Sequence, residues 1–122
     1  MQSLPAADPS GPVLEPLDLL LRRVPGLNDS ANFEAIRVRV VVTGRVQGVW
    51  FRDSCREQAR RERVAGFARN RADGSVEVEL EGPEPAVERM VAWCRTGPPR
   101  ARVDAVAVER IAPVGEPGFR IR

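Results

Sequence analysis

A chain of 122 residues has room for one small domain, and a 43% hydrophobic share is enough for a single modest core. All 19 basic residues are Arg and there is no Lys, His or Tyr, which excludes an imidazole general base, a lysine Schiff base and His-containing zinc sites. The net charge of +2 is unevenly shared: residues 1–35 carry two Arg against five acids, and residues 36–122 carry seventeen against twelve, so the basic excess belongs to the part with core-forming patterns.

Residues 1–35 are rich in Pro, Ser, Ala, Gly and Asp and form an N-terminal extension expected to be largely disordered. Within it Leu14, Leu17, Leu20 and Leu21 fall at helical spacing, which allows a short amphipathic helix over about 14–24 before Pro25 and Gly26. The start of the chain lacks a basic segment followed by a long apolar run, so neither secretion nor membrane insertion is expected.

From Ile36 to Thr43, Val38, Val40 and Val42 alternate with Arg37 and Arg39, the pattern of a half-buried strand. The segment GRVQGVWFR, Gly44 to Arg52, then punctuates the chain with two glycines and ends on an arginine. Such a turn lets successive backbone N–H groups converge, the helix start after it adds unpaired donors, and a guanidinium adds a forked cation shaped for phosphate. Phe51, Cys55 and Ala59 recur every four residues along a helix to about Val64, and Ser54 with Glu57 fits a capping box that would start the regular helix later. A strand from about Ala65 to Arg71, a turn at Asp73–Gly74 and a second strand through SVEVELE make a hairpin, with Val76, Val78 and Leu80 alternating against Glu77, Glu79 and Glu81. Ala86, Val87, Met90, Val91 and Cys94 line a second helix, stopped by Gly97, Pro98 and Pro99. A strand follows over about Arg102–Arg110, its alternation slipping between Val103 and Val106 as a bulge would make it, and Phe119 and Ile121 suggest a short last strand.

This order predicts an α+β, ferredoxin-like β-α-β-β-α-β sandwich: an antiparallel sheet with both helices on one face, plus a C-terminal strand. Cys55 and Cys94 lie in different helices with no CxxC spacing and no metal-ligand company. They read as small buried apolar residues of a reducing compartment, and a disulfide between them is the lesser reading, because sequence does not say whether their Cβ atoms approach. Two places combine polar residues with suitable backbone, the loop Gly44 to Arg52 and the segment Gly66 to Asn70. Pattern alone does not bring them together.

GRVQGVWFR, GFARNRADGSVEVELEG from Gly66 to Gly82 and the closing Phe119-x-Ile121 together resemble the acylphosphatase family over nearly all of residues 36–122. Ala68 stands where that family more often has valine, Trp50 fills a variable slot, and the N-terminal extension is atypical of it. The resemblance implies hydrolysis of the carboxyl–phosphate anhydride of small acyl phosphates without metal or cofactor. It casts Arg52 as the residue that binds the phosphoryl group and Asn70 as the one that orients water. The phosphate-binding loop would be Arg45, Val46, Gln47, Gly48, Val49, Trp50 and Phe51, acting through backbone N–H groups, with Gln47 more structural than substrate-binding. The leaving carboxylate has a conjugate acid of pKa about 4, so the missing histidine is no obstacle.

A small acyl phosphate is thus the expected partner, with no membrane or nucleic acid, for a cytoplasmic monomer. The alternative is a non-catalytic ferredoxin-like module that binds anions or RNA through arginines such as Arg56, Arg60, Arg61 and Arg63. Against it, only six aromatic residues are present and they do not interleave along the strands. A third reading, a domain serving a carbamoyl-transfer machine, follows from related domains inside larger proteins.

Overall fold

A computed structural model describes residues 34–122; the extension and the leucine segment near 14–24 lie outside the described residues. The elements are β1 (Ala35–Arg45), α1 (Phe51–Glu62), β2 (Ala65–Asn70), β3 (Val76–Pro83), α2 (Glu84–Thr96), β4 (Arg102–Ile111) and β5 (Phe119–Ile121). The sheet order is β4-β1-β3-β2-β5. β1 pairs antiparallel with both β3 and β4, and β2 antiparallel with β3. β5 joins β2 in parallel, which makes the ferredoxin-like sheet mixed at its last edge.

α1 starts directly at Phe51, with Trp50 as its N-cap in the left-handed region and no side-chain cap. The Ser54 and Glu57 capping box therefore does not form; the Ser54 N–H is taken by the Trp50 carbonyl at 3.0 Å, which puts Ser54 inside the first turn. The hairpin turn also differs in detail. Gly74 N–H donates to the Arg71 carbonyl and Arg71 N–H to the Ser75 carbonyl, so the reversal spans Arg71 to Ser75 with Asp73 and Gly74 at its centre. In β4 the register slips by one residue, Thr43 facing Ala105 and Gly44 facing Val103, which leaves Asp104 as the bulged residue inside the interval where the alternation breaks.

One face of the sheet carries Val38, Val40, Val42, Ala68, Val76, Val78 and Leu80, and packs with Phe51, Cys55 and Ala59 of α1 and Ala86, Val87, Met90 and Cys94 of α2 in one core. Phe51 meets Trp93 edge to face with ring centroids 5.3 Å apart, which locks the start of α1 against α2. Cys55 and Cys94 are both free and buried. The hydrogen bond with Cys94 and burial together push the Cys55 thiol well above its ordinary value.

The other face is ionic and is closed over its centre, where Arg37, Glu77, Glu79 and Glu81 are buried, while Arg39 and Arg69 remain part-exposed. Arg37, on the polar side of its strand, is only 3% exposed. Its guanidinium donates to Glu79 at 2.8 Å, Glu81 at 2.7 Å and Glu116 at 3.3 Å. Register places the charges opposite one another, Arg37 facing Glu81 and Arg39 facing Glu79. Glu81 also accepts the N–H groups of Val114 and Gly115, at 3.0 and 2.8 Å. Burial alone would raise its carboxyl; the Val114 N–H, the Arg37 guanidinium and the Gly115 N–H outweigh it and hold the group below its ordinary value. These bonds draw the segment after β4 across the sheet, and that segment delivers β5 to the edge of β2.

Candidate active site

Val76 pairs with Val42 of β1 on one side and with Asn70 of β2 on the other. Two strands that are both antiparallel to β3 run parallel to each other, about 10 Å apart, so they finish at the same end of the sheet. This brings the loop after β1 beside Asn70, which the sequence pattern does not do. β5 runs parallel to β2 with Ala68 facing Ile121, so the chain also ends its last strand there.

The shared end holds a cleft of about 230 Å³ lined by Val46, Gly48, Trp50, Phe51, Arg52, Asp53, Asn70 and Ile121. Arg52 and Asn70 thus line the same cleft. Val46, Gly48, Trp50 and Phe51 of the loop line it as well, whereas Arg45, Gln47 and Val49 do not. Arg45 is exposed at the end of β1, and Val49 is 4% exposed in the core. Gln47 acts as a strut instead, because its amide nitrogen donates to the carbonyls of Arg71 at 2.8 Å and Ser75 at 2.9 Å. It ties the loop to the hairpin turn that follows Asn70.

The loop backbone is held open. Gly44 has φ 128 and Gly48 φ 75, and a side chain at Gly44 would run into the carbonyl oxygen of Arg102. Trp50 takes φ 65 despite having a Cβ. Among the described residues no acceptor takes the N–H of any residue from Gln47 to Arg52. Of the residues that carry those donors, Gly48, Trp50, Phe51 and Arg52 line the cleft, and with the positive end of the α1 dipole and the Arg52 guanidinium they make a setting that favours an anion.

Arg52 is oriented by its Nη1, which donates to the main-chain oxygen of Arg122 at 3.2 Å. That partner and Asp53 are parts of the site that the sequence reasoning missed. Asp53 directly follows Arg52 in the first helical turn, so its helical position is a local signal for a place near the loop; its carboxylate lies 3.5 Å from Arg56. The Arg122 contact has no local signal, because it depends on the β2–β5 pairing. Among the described residues no three His, Cys, Asp or Glu side chains converge as a metal site would need.

The family profile described as Acylphosphatase matches residues 38–121. An acylphosphatase of Anaeromyxobacter dehalogenans is 52% identical over 90 residues, 73% of this chain and 97% of that one. Another, of Rubrobacter xylanophilus, is 55% identical over 87 residues, 70% of this chain and 79% of that one. The solved structure of an acylphosphatase from Coxiella burnetii superposes with a TM-score of 0.70 at 34% identity, over 72% of this chain and 93% of that one. With the family profile matched over residues 38–121 and relatives about half identical over most of their own length, the protein belongs to the acylphosphatase family.

Proposed function

We propose that the cleft performs the family's hydrolysis of small acyl phosphates with Arg52 as the phosphoryl-binding residue, Asn70 as the residue that orients water, and the loop N–H groups from Val46 to Phe51 as the phosphate cradle. The observation that carries this reading is that Arg52 and Asn70 line one cleft with a loop whose N–H groups from Gln47 to Arg52 have no acceptor among the described residues. Water attacks phosphorus, the bond from phosphorus to the acyl oxygen breaks, and the electron pair leaves on the carboxylate. A carboxylate of conjugate-acid pKa about 4 departs without a general acid at neutral pH. The transition state spreads charge over the phosphoryl oxygens, so fixed donors and one guanidinium supply most of the stabilisation. A substrate phosphoryl oxygen accepts the proton lost by the attacking water. A rate profile that demanded a protein group titrating near neutrality would refute that last step.

Residues 36–122 form the catalytic domain in this reading, acting as a monomer in the cytoplasm. The free, buried cysteines support a reducing compartment. No helix among the described residues is long and apolar enough to cross a membrane. The test is steady-state hydrolysis of benzoyl phosphate in EDTA by the full chain and by Arg52→Ala and Asn70→Ala, each checked for folding by circular dichroism. Turnover by wild type and its loss in both variants is the expected result. Turnover undiminished in either folded variant would remove that residue's role.

A further inference from the structure

Trp50 is 67% exposed, and its side chain is not part of the core cluster of the described residues. Its φ of 65 is a conformation unfavourable to a residue with a Cβ, and it provides no side-chain cap for α1. Among the described residues its ring takes part in no aromatic or cation–π pair; those pairs join Phe51 to Trp93 and Arg122 to Phe67. Yet Trp50 lines the cleft. The other apolar residues of the lining are committed elsewhere: Val46 and Phe51 are 1% and 2% exposed, and Ile121 is half-buried in β5. Among the described residues the indole is therefore the large apolar side chain of the lining that stays exposed.

We infer that the Trp50 side chain is the acyl-group contact, and that it biases the enzyme towards acyl phosphates whose carboxylic part is flat and apolar, such as aroyl phosphates, over acetyl or carbamoyl phosphate. This rests on reading the cleft as the acyl phosphate site. An acyl phosphate has two ends of opposite character. Arg52 and the loop donors suit the charged end, and an exposed indole two residues before Arg52 suits an apolar one, with stacking on the ring as the added attraction. The left-handed backbone at Trp50 serves the entry into α1, where glycine would bear it more easily, so a bulky exposed side chain at that position fits a contact with substrate.

The test compares kcat/KM for benzoyl phosphate and acetyl phosphate in the wild type, Trp50→Gly and Trp50→Phe. Any disturbance of the loop backbone acts on both substrates and cancels in the ratio. The benzoyl-to-acetyl ratio should fall about threefold to tenfold in Trp50→Gly, mainly through KM for benzoyl phosphate, and recover in Trp50→Phe. A ratio unchanged in Trp50→Gly overturns the inference, and so does a Trp50→Phe enzyme that behaves like Trp50→Gly. Should Trp50→Gly be inactive, titration of phenylphosphonate against Trp93→Phe, in which Trp50 is the sole indole of a chain with two Trp, decides the matter. Quenching of its fluorescence at lower concentration than with methylphosphonate is expected, and equal responses to the two overturn the contact. A wild type inert towards both acyl phosphates would instead bring down the acyl phosphate reading itself.

Discussion

Two glycine-bearing turns sit at the same end of the sheet, and they use their backbones in opposite ways. The reversal from Arg71 to Ser75 closes largely on itself: Arg71 and Gly74 N–H groups find carbonyls within the turn, and Ser75 donates its N–H to the Asp73 carboxylate at 2.9 Å and its hydroxyl at 2.6 Å. The loop from Val46 to Trp50 leaves its N–H groups from Gln47 onward without acceptors among the described residues. Both contain a glycine at positive φ, Gly48 at 75 and Gly74 at 93, with nothing near where a Cβ would stand. Glycine marks a turn in each case; open donors next to a guanidinium suit only one of them to an anion, as the proposed function requires. Gln47 joins the two, since its amide nitrogen donates to the Arg71 and Ser75 carbonyls of the hairpin turn.

Substitutions in the open loop and its neighbours should therefore reduce activity, and those in the closed turn should reduce stability. The largest effect is expected from Arg52→Ala, a fall of about 10³ or more in kcat/KM for benzoyl phosphate, with Arg52→Lys restoring little because the forked geometry is lost. Asn70→Ala should lose about 10², read mainly in kcat, while thermal unfolding stays close to wild type. Near-normal rates in either variant would erase the distinction between the two turns.

Next comes Gly48→Val. Space is not the obstacle there, so the penalty is the backbone angle, which a β-branched residue resists. Activity should fall about tenfold or more with only about 1–2 kcal/mol of stability lost in urea unfolding. Loss of stability without loss of rate would mean that the loop's shape is structural alone.

Gln47 sharpens the comparison because it belongs to both turns. Gln47→Ala should cost about 1 kcal/mol and lower kcat several-fold, as the loop loosens relative to Asn70. Gln47→Glu should be worse than Gln47→Ala, since a carboxylate would confront two carbonyl oxygens. The reverse order of the two variants would contradict the assigned amide orientation.

The smallest effect belongs to Asp73, whose carboxyl is held below its ordinary value by the Ser75 hydroxyl and then by the Ser75 N–H. A depressed folded value means stabilisation that is present above the unfolded pKa and lost as pH falls through the folded one. Asp73→Ala should lower the melting temperature slightly at pH 7, show no such difference in strong acid, and leave kcat unchanged. A melting-temperature deficit that persists undiminished in strong acid would rule out this linkage.

Much of this was legible in local pattern. The valine alternation of β1 and the Val76, Val78, Leu80 series of β3 mark one apolar face, and both appear in the core. The broken alternation between Val103 and Val106 marks the bulge at Asp104. The Ser54 and Glu57 pattern misled because a capping box is a local preference, and the chain instead reaches the helix through the left-handed Trp50, with Phe51 already anchored against Trp93. Arg37 misled in another way. Alternation assigns it to the polar face, but it does not reveal that Glu79, Glu81 and Glu116 enclose it there.

Neighbouring residues were enough to define the elements and the glycine loop that ends on Arg52, because strand and helix periodicity and glycine's backbone freedom are local properties; Arg52 and Asn70 were paired as candidate site residues only through the resemblance to the acylphosphatase family. That Arg52 and Asn70 share a cleft, that Gln47 ties the loop to the hairpin turn, and that the Arg122 main-chain oxygen meets Arg52 emerged only from the folded chain. Each of these depends on strand order and register: Val76 between Val42 and Asn70, and Ile121 beside Ala68. Those pairings are set by the burial of a common core and by ion pairs across the sheet, which join residues far apart in the chain and leave no periodic trace at the site itself.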